Sequence, residues 1–193
     1  VNQHRNRVRR FIHISTSEVY GTARTPAMDE EHPLMPMSPY AASKAGADRL
    51  VYSYVQTYRI PAVIVRPFNS FGPRQHLEKV VPRFITSCIL EEPLTVHGDG
   101  LAARDFLHVS ELCDALDVIF HAPAEKVDGE IFNVGSGCHR SVLSIAQDIL
   151  AEFGAETTSR VEFVGERPGQ VFRHTAAVSK IGERLGWQPR RDW

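Results

Sequence analysis

The sequence predicts an α/β protein built on a parallel sheet, and three observations lead there. Short runs of β-branched and aromatic residues recur, at 8–14, 60–65, 94–96, 131–134 and 161–164. Helical patterns separate them, at about 40–58, 78–90, 110–121, 142–153 and 178–185. The first strand, a long loop, a long helix and the second strand form one crossover unit, the connection that parallel strands require.

Each element has a local reason. Val8 to Ile14 is a buried strand that ends in Ser15-Thr16-Ser17, delivering hydroxyl groups at its carboxyl end. Residues 21–39, rich in Pro, Met and charge, read as a loop. Ser38 is placed to cap the following helix, with Pro39 at its first position. Ala41, Ala42, Ala45, Leu50 and Val51 carry that helix to about Tyr58. Ile60 to Val65 is a continuous apolar run, hence a buried strand. Asn69 to Pro73 reads as a turn, and the helix from Glu78 to Leu90 is expected to be interrupted at Pro82. Leu94–Val96 is a short strand before a turn at Gly98-Asp99-Gly100. Ser141 and Gly154 bracket the helix at 142–153, and Gly186 stops the last one.

Composition excludes several classes. The 193 residues are 42% apolar and 23% charged, enough for one domain or somewhat more. Lys plus Arg is 22 against 23 Asp plus Glu, a formal net charge of −1, without the basic excess of nucleic-acid or membrane-surface binders. Cys88, Cys113 and Cys138 are too few and too scattered for a disulfide scaffold or a thiolate metal site, so a soluble protein of a reducing, cytoplasmic compartment is expected. No apolar run approaches the roughly 18 residues of a membrane span, and no signal-peptide pattern opens the chain. Because it starts at Val1 and stops at Trp193, both ends are read as cuts.

Tyr40 and Lys44 lie four apart on a helix and therefore share a face. Taken alone, such a pair is weak, and a half-exposed tyrosine beside a solvated lysine describes it better. Its context is a strand ending in Thr16-Ser17-Glu18, then a Pro-bounded loop, then the pair in the first turn of a helix. A tyrosine serving as a base near neutral pH needs about three units of pKa depression, or about 4 kcal/mol. One ammonium about 4 Å away supplies about that much at an effective dielectric of 20. Lys44 is placed to be that ammonium, and the Thr16 hydroxyl to hold the same substrate oxygen.

Thr16-Ser-Glu-Val-Tyr-Gly21, Ser38-Pro-Tyr-Ala-Ala-Ser-Lys44, Arg66-Pro-Phe-Asn-Ser-Phe-Gly-Pro-Arg74, Gly98-Asp-Gly100, Arg104-Asp-Phe-Leu-His-Val109, Phe132-Asn-Val-Gly135 and Arg167-Pro-Gly169 occur in that order. The series resembles the extended short-chain dehydrogenase/reductase family, in particular its NAD-dependent nucleotide-sugar epimerases and dehydratases. The resemblance runs from about Val8 to Pro189. It implies the C-terminal half of a Rossmann-type parallel sheet with a small α/β substrate-binding domain. Residues 1–69 would be the partial NAD-binding domain, and 70–193 mainly the sugar-nucleotide domain, interleaved with further Rossmann elements.

By that resemblance, Thr16, Tyr40 and Lys44 form a catalytic triad. Tyr40 takes the proton from the sugar 4-hydroxyl while hydride passes from C4 to the nicotinamide, leaving a 4-keto sugar. Tyr40, Lys44, Pro67 and Phe68 would lie at the nicotinamide end of NAD. Ser17, Asn69, Lys79, Arg104, Asn133 and Arg167 would contact the sugar nucleotide and its diphosphate, with Thr95 and His97 along the base. An arginine fork suits a diphosphate physically, although Arg104 or Arg167 alone fits plain surface solvation equally well. Glu18 points to the 4,6-dehydratases that this sequence resembles: once C4 is a ketone, C5–H is acidified, and Glu18 can remove it to expel the C6 hydroxyl. A carboxylate that merely caps the strand end is the alternative.

Many such dehydratases have Thr-Asp-Glu, and here the middle residue is Ser17. Thr-Ser-Glu also fits guanosine-diphosphate-mannose dehydratases and uridine-diphosphate-glucuronate decarboxylases, so dehydration, 4-epimerisation and decarboxylation stay open. Phe71, Glu111 and Ala177 depart from the family's usual Tyr, Asp and Asp without removing a catalytic group. The resemblance implies that a glycine-rich cofactor half belongs upstream, that this chain alone binds NAD weakly, and that the intact enzyme is a homodimer. A non-catalytic fragment that binds a sugar nucleotide or a partner chain is the reading from another class.

Three other features read as structural. Asn133-Val-Gly135-Ser-Gly137-Cys-His-Arg140 imitates a dinucleotide fingerprint, but Arg140 stands where the third Gly is needed, so a substrate-domain turn is expected. The histidines lack zinc-protease spacing, and His13 reads as a core residue. The basic start at Arg5, Arg7, Arg9 and Arg10 reads as a solvated connection.

Overall fold

The computed structural model describes residues 7–166, 169, 171–191 and 193. Strands β1 (Phe11–Ile14), β2 (Ala62–Pro67) and β6 (Ile131–Val134) form a parallel sheet in the order β1-β2-β6. Its registers pair Ile14 with Val65 and Arg66 with Asn133. Helix α1 (Pro39–Tyr58) makes the β1-to-β2 crossover. Its buried residues Ala41, Ala45, Asp48 and Val55 lie three, four and seven apart, one stripe of a helix. Ser38 caps it as expected, its side chain accepting from the Ala41 N–H at 3.1 Å.

Two smaller sheets complete the fold. One joins β3 (Asn69–Phe71), β5 (Ala103–His108) and β7 (His139–Ser141); β3 and β5 are parallel, β5 and β7 antiparallel. The other pairs β4 (Leu94–His97) with β8 (Val161–Val164) in parallel. Helices α3 (Val109–His121) and α6 (Ser179–Leu185) pack Ala115, Ile119 and Ile181 on Val63, Val65, Phe132 and Val134. A second core sets Phe84 and Cys88 of α2 (Val80–Ile89) and Ile145 and Ile149 of α5 (Val142–Phe153) against Leu94, Val96 and Phe106. A single turn, α4 (Ala124–Val127), leads into β6. Apart from the Cys88 thiol both cores are aliphatic and aromatic, the composition that makes burial favourable.

The α/β class holds, and several local expectations change. β3, β5 and β7 are strands where a turn, an unassigned stretch and a fingerprint-like turn were expected. Pro82 does not interrupt α2: it is the third helical residue, where the missing N–H is one that no helix bonds internally. Arg10 is not a solvated connector. It donates to Ile119 O at 2.6 Å, Phe120 O at 2.7 Å and Ala122 O at 2.8 Å, closing the carbonyl end of α3. Among the described residues no helix is long and apolar enough to cross a membrane.

Candidate active site

The site is built where β1 stops. Thr16 is fully extended, with φ −163° and ψ 153°, and its Oγ1 accepts from the Glu18 N–H at 3.3 Å, capping a 3-10 turn over Ser17–Tyr20. Capping uses the hydroxyl as an acceptor and leaves its own proton to donate. Val19 and Tyr20 are buried in this turn, and Glu18 beside them keeps partial exposure. Gly21 ends it at φ 70°, where a Cβ would collide with the Met35 carbonyl oxygen. Helix α1 packs against the same turn, so the start of the helix and the Thr16–Glu18 segment are neighbours.

Tyr40 is the second residue of α1 and is 58% exposed. Lys44, one turn on, donates from Nζ to the Ile14 carbonyl at 2.6 Å. That bond fixes the ammonium at the last residue of β1 while leaving two of its three N–H groups for other acceptors. His13, just before, has its pKa lowered by burial and then by the Lys44 charge.

A buried polar hub ties these pieces together. Arg66, at the end of β2 and 1% exposed, donates from Nε to Asp48 Oδ2 at 2.9 Å and from Nη2 to Asp48 Oδ1 at 3.0 Å. From Nη1 it reaches the Tyr20 hydroxyl at 2.9 Å and the Glu30 carbonyl at 3.1 Å. Tyr20 in turn donates to Asn133 Oδ1 at 2.7 Å. Burial would raise the Asp48 pKa, but the hydrogen bonds and charge of Arg66, helped by Arg49, bring it down to about 2. Burial pushes the Tyr20 phenol up to about 12, so it stays a donor. One guanidinium thereby joins α1, β2, the Glu18 turn and the loop after it. Neither Asp48 nor Arg66 was a site candidate from sequence; an Arg before a Pro at a strand end carries no local sign of burial.

The remaining candidates divide. Phe68 is buried, its backbone N–H on the Val134 carbonyl at 2.8 Å, and Pro67 beside it closes β2. Asn69 opens β3 with partial exposure. Lys79 precedes α2, exposed and 3.6 Å from Glu78. Thr95 and His97 lie on β4, and the His97 ring contacts the Gly165 carbonyl at 2.9 Å. Arg104 on β5 stands directly opposite Arg140 on β7. Like charges directly opposed on a ladder repel. Arg140 also pairs with Asp148 at 3.1 Å; sequence reading passed over it as a missing glycine. Arg167 lies outside the described residues.

Two expectations are corrected. Asn133 does not face a ligand: it is fully buried, its amide spent on the Tyr20 hydroxyl and on Met28 O at 2.9 Å. Ser17 is 1% exposed, its hydroxyl 3.4 Å from His174 Nδ1, so it does not face a sugar either. Asp105, fully buried, is structural as well. It accepts from Ser136 N at 2.7 Å, Gly137 N at 2.9 Å and Ala176 N at 3.0 Å. Among the described residues no three His, Cys, Asp or Glu side chains are grouped to hold a metal ion.

Comparison with known proteins gives this geometry relatives. Residues 1–193 match the family model described as GDP-mannose 4,6 dehydratase. A dTDP-glucose 4,6-dehydratase of Actinoplanes sp. is 41% identical over 189 residues, covering 98% of this chain and 58% of that protein. The crystal structure of the dTDP-glucose 4,6-dehydratase DesIV from Streptomyces venezuelae, solved with NAD bound, aligns with a TM-score of 0.86 at 33% identity, over 95% of this chain and 56% of that one. The UDP-glucuronic acid 4-epimerase of Bacillus cereus, in complex with UDP-glucuronic acid and NAD, aligns with a TM-score of 0.90 at 28% identity, over 99% and 60%. The chain thus spans little more than half the length of the relatives it matches.

Proposed function

This chain belongs to the GDP-mannose 4,6 dehydratase family, and from that premise we propose that its protein oxidises a nucleotide-diphosphate hexose at C4 and then dehydrates it across C5 and C6. One observation carries the reading: the Thr16–Glu18 turn and the Tyr40–Lys44 face of α1 meet at the carboxyl end of β1.

NAD, when bound, would supply the acceptor for the C4 hydride and the hydride that later goes to C6. Tyr40, Lys44, Pro67 and Phe68 are the residues proposed to hold its nicotinamide end; the exposed Tyr40 hydroxyl and the Lys44 ammonium fixed on β1 fit that task. Tyr40 takes the 4-hydroxyl proton, and the Thr16 hydroxyl donates to the same oxygen. The ketone then makes C5–H acidic; Glu18 removes that proton and passes it to the C6 hydroxyl, which leaves as water, and the C5–C6 alkene so formed takes the hydride at C6 and a solvent proton at C5. Arg104, with Arg140 opposite, Lys79 and Asn69 face the diphosphate side in this reading, and Thr95 and His97 the base; Arg167 is assigned to the diphosphate from the sequence series alone. The functional division falls near residue 69, with β6 returning to the first sheet.

A second reading keeps the same oxidation and replaces dehydration with 4-epimerisation or decarboxylation of a hexuronate. The similarity to the Bacillus cereus epimerase and Ser17 in place of Asp favour it. A homodimer through α1 belongs to the proposal: Leu50, Tyr54 and Tyr58 form an outward stripe at four-residue spacing, exposed by 59%, 40% and 44%. Cytoplasmic residence fits Cys88, Cys113 and Cys138, none of them in a disulfide.

The test is product analysis by NMR with the full-length enzyme, NAD, and thymidine-, uridine- and guanosine-diphosphate hexoses. A 4-keto-6-deoxy product that disappears in Tyr40→Phe is expected. A C4 epimer, or carbon dioxide released from a hexuronate, would favour the second reading.

A further inference from the structure

Residues 171–177 run as a strap between the loop after the Glu18 turn and β5. Arg173 O accepts from Ala23 N at 3.1 Å, Thr175 O from Met28 N at 2.8 Å, and Ala103 O from His174 N at 3.1 Å. From this strap the His174 ring enters the core with no exposed surface. Its Nε2 lies 2.6 Å from the Gly21 carbonyl, and its Nδ1 lies 3.4 Å from Ser17 Oγ. A carbonyl only accepts, so Nε2 carries the ring proton and Nδ1 presents its lone pair to the Ser17 hydroxyl. Burial, and then the charge of Arg104, lower the His174 pKa to about 4, which keeps that tautomer neutral.

Ser17 is the first residue of the 3-10 turn and Gly21 the one that closes it. A single imidazole therefore holds both ends of the segment that carries Glu18. The same ring stacks edge-on against Phe68, 6.1 Å between centroids, on the side proposed for the nicotinamide. We propose that Ser17 and His174 are a positioning pair for Glu18, holding its carboxylate in register with C5 from inside the protein without touching the sugar. This rests on the reading above, in which Glu18 is the base at C5. It reassigns Ser17, which the sequence series placed against the substrate.

Displacing a catalytic group by about 1 Å can cost a hundredfold in rate. A lost clamp therefore acts on the elimination step and spares substrate binding. The experiment uses the full-length enzyme and the sugar nucleotide it dehydrates, comparing Ser17→Ala, His174→Ala, His174→Gln and Glu18→Gln. C4 oxidation is followed by stopped-flow absorbance of the reduced nicotinamide, and elimination by product formation.

The expected result for Ser17→Ala is an elimination rate about tenfold lower, with KM within about twofold of wild type and C4 oxidation preserved. His174→Ala should lose more, and His174→Gln, whose amide can donate to the Gly21 carbonyl, should recover part. A raised KM in Ser17→Ala with unchanged kcat would overturn the proposal in favour of direct sugar contact. So would unaltered elimination in both Ser17→Ala and His174→Ala while Glu18→Gln abolishes it. Elimination untouched in Glu18→Gln would instead overturn the underlying reading, and the positioning proposal with it.

Discussion

Replacing Asp48 with Ala strands a buried cation. The Arg66 side chain is 1% exposed and loses two bonds, of 2.9 and 3.0 Å, to a carboxylate that is itself fully buried. The Tyr20 hydroxyl and the Glu30 carbonyl remain as acceptors, but neither carries a charge. Removing one member of a buried pair costs about 3–5 kcal/mol, because the survivor stays desolvated without compensation. Domains are stable by only about 5–15 kcal/mol, so this is about three-fifths or more of the total at the lower end of that range. Chemical denaturation of the full-length protein, followed by circular dichroism, measures it. The double variant Asp48→Leu with Arg66→Met removes both charges and should recover to within about 1–2 kcal/mol of wild type. A single variant losing less than about 1 kcal/mol, or a double variant as unstable as the single, would refute the claim that Arg66 depends on Asp48.

Acid titration follows from two groups whose pKa values are depressed on folding. His174 falls from 6.5 to about 4, so its contribution is complete above 6.5 and is lost as pH drops through 4, about 3 kcal/mol in all. Asp48, at about 2 against an unfolded 3.8, adds a second loss between pH 4 and 2. Denaturation midpoints between pH 7 and 4 should therefore flatten in His174→Gln, and an unchanged slope would contradict the assignment. Gly21→Ala forces a Cβ into a conformation at φ 70° and onto Met35 O; at least about 1–3 kcal/mol of stability should go, read by the same denaturation. Arg10→Ala frees three carbonyls at the end of α3 and should cost about 2–4 kcal/mol, with faster amide exchange confined to that helix end. Exchange unaltered at residues 119–122 would show that Arg10 does not hold it.

What could be read from sequence was what is encoded locally. Ser38-Pro39 sets the start of α1, and Ser141 with Gly154 sets the ends of α5, because caps act within one turn. The Tyr40–Lys44 face followed from helical spacing and the placement of Thr16 and Glu18 at the end of β1 from a strand end; the 3-10 turn over Ser17–Tyr20 did not. β5 escaped notice because its Ala-Arg-Asp-Phe-Leu-His run carries two charges, and Asp105 is tolerated only because Ser136, Gly137 and Ala176 bring donors from far along the chain. The three-residue strands β3 and β7 exist through their pairing with β5. Ser17 was misplaced for the same kind of reason. Its direction depends on His174, 157 residues away, and nothing near Ser17 announces that partner.

Tyr40 and Glu18 divide the proposed reaction between them, and Glu18→Gln in the full-length enzyme tests that division most directly. Incubated with NAD and the sugar nucleotide in deuterated water, this variant should accumulate reduced nicotinamide and the 4-keto sugar. It should place no deuterium at C5 and form no 4-keto-6-deoxy product. Dehydration at the wild-type rate, with solvent deuterium incorporated, would contradict the account.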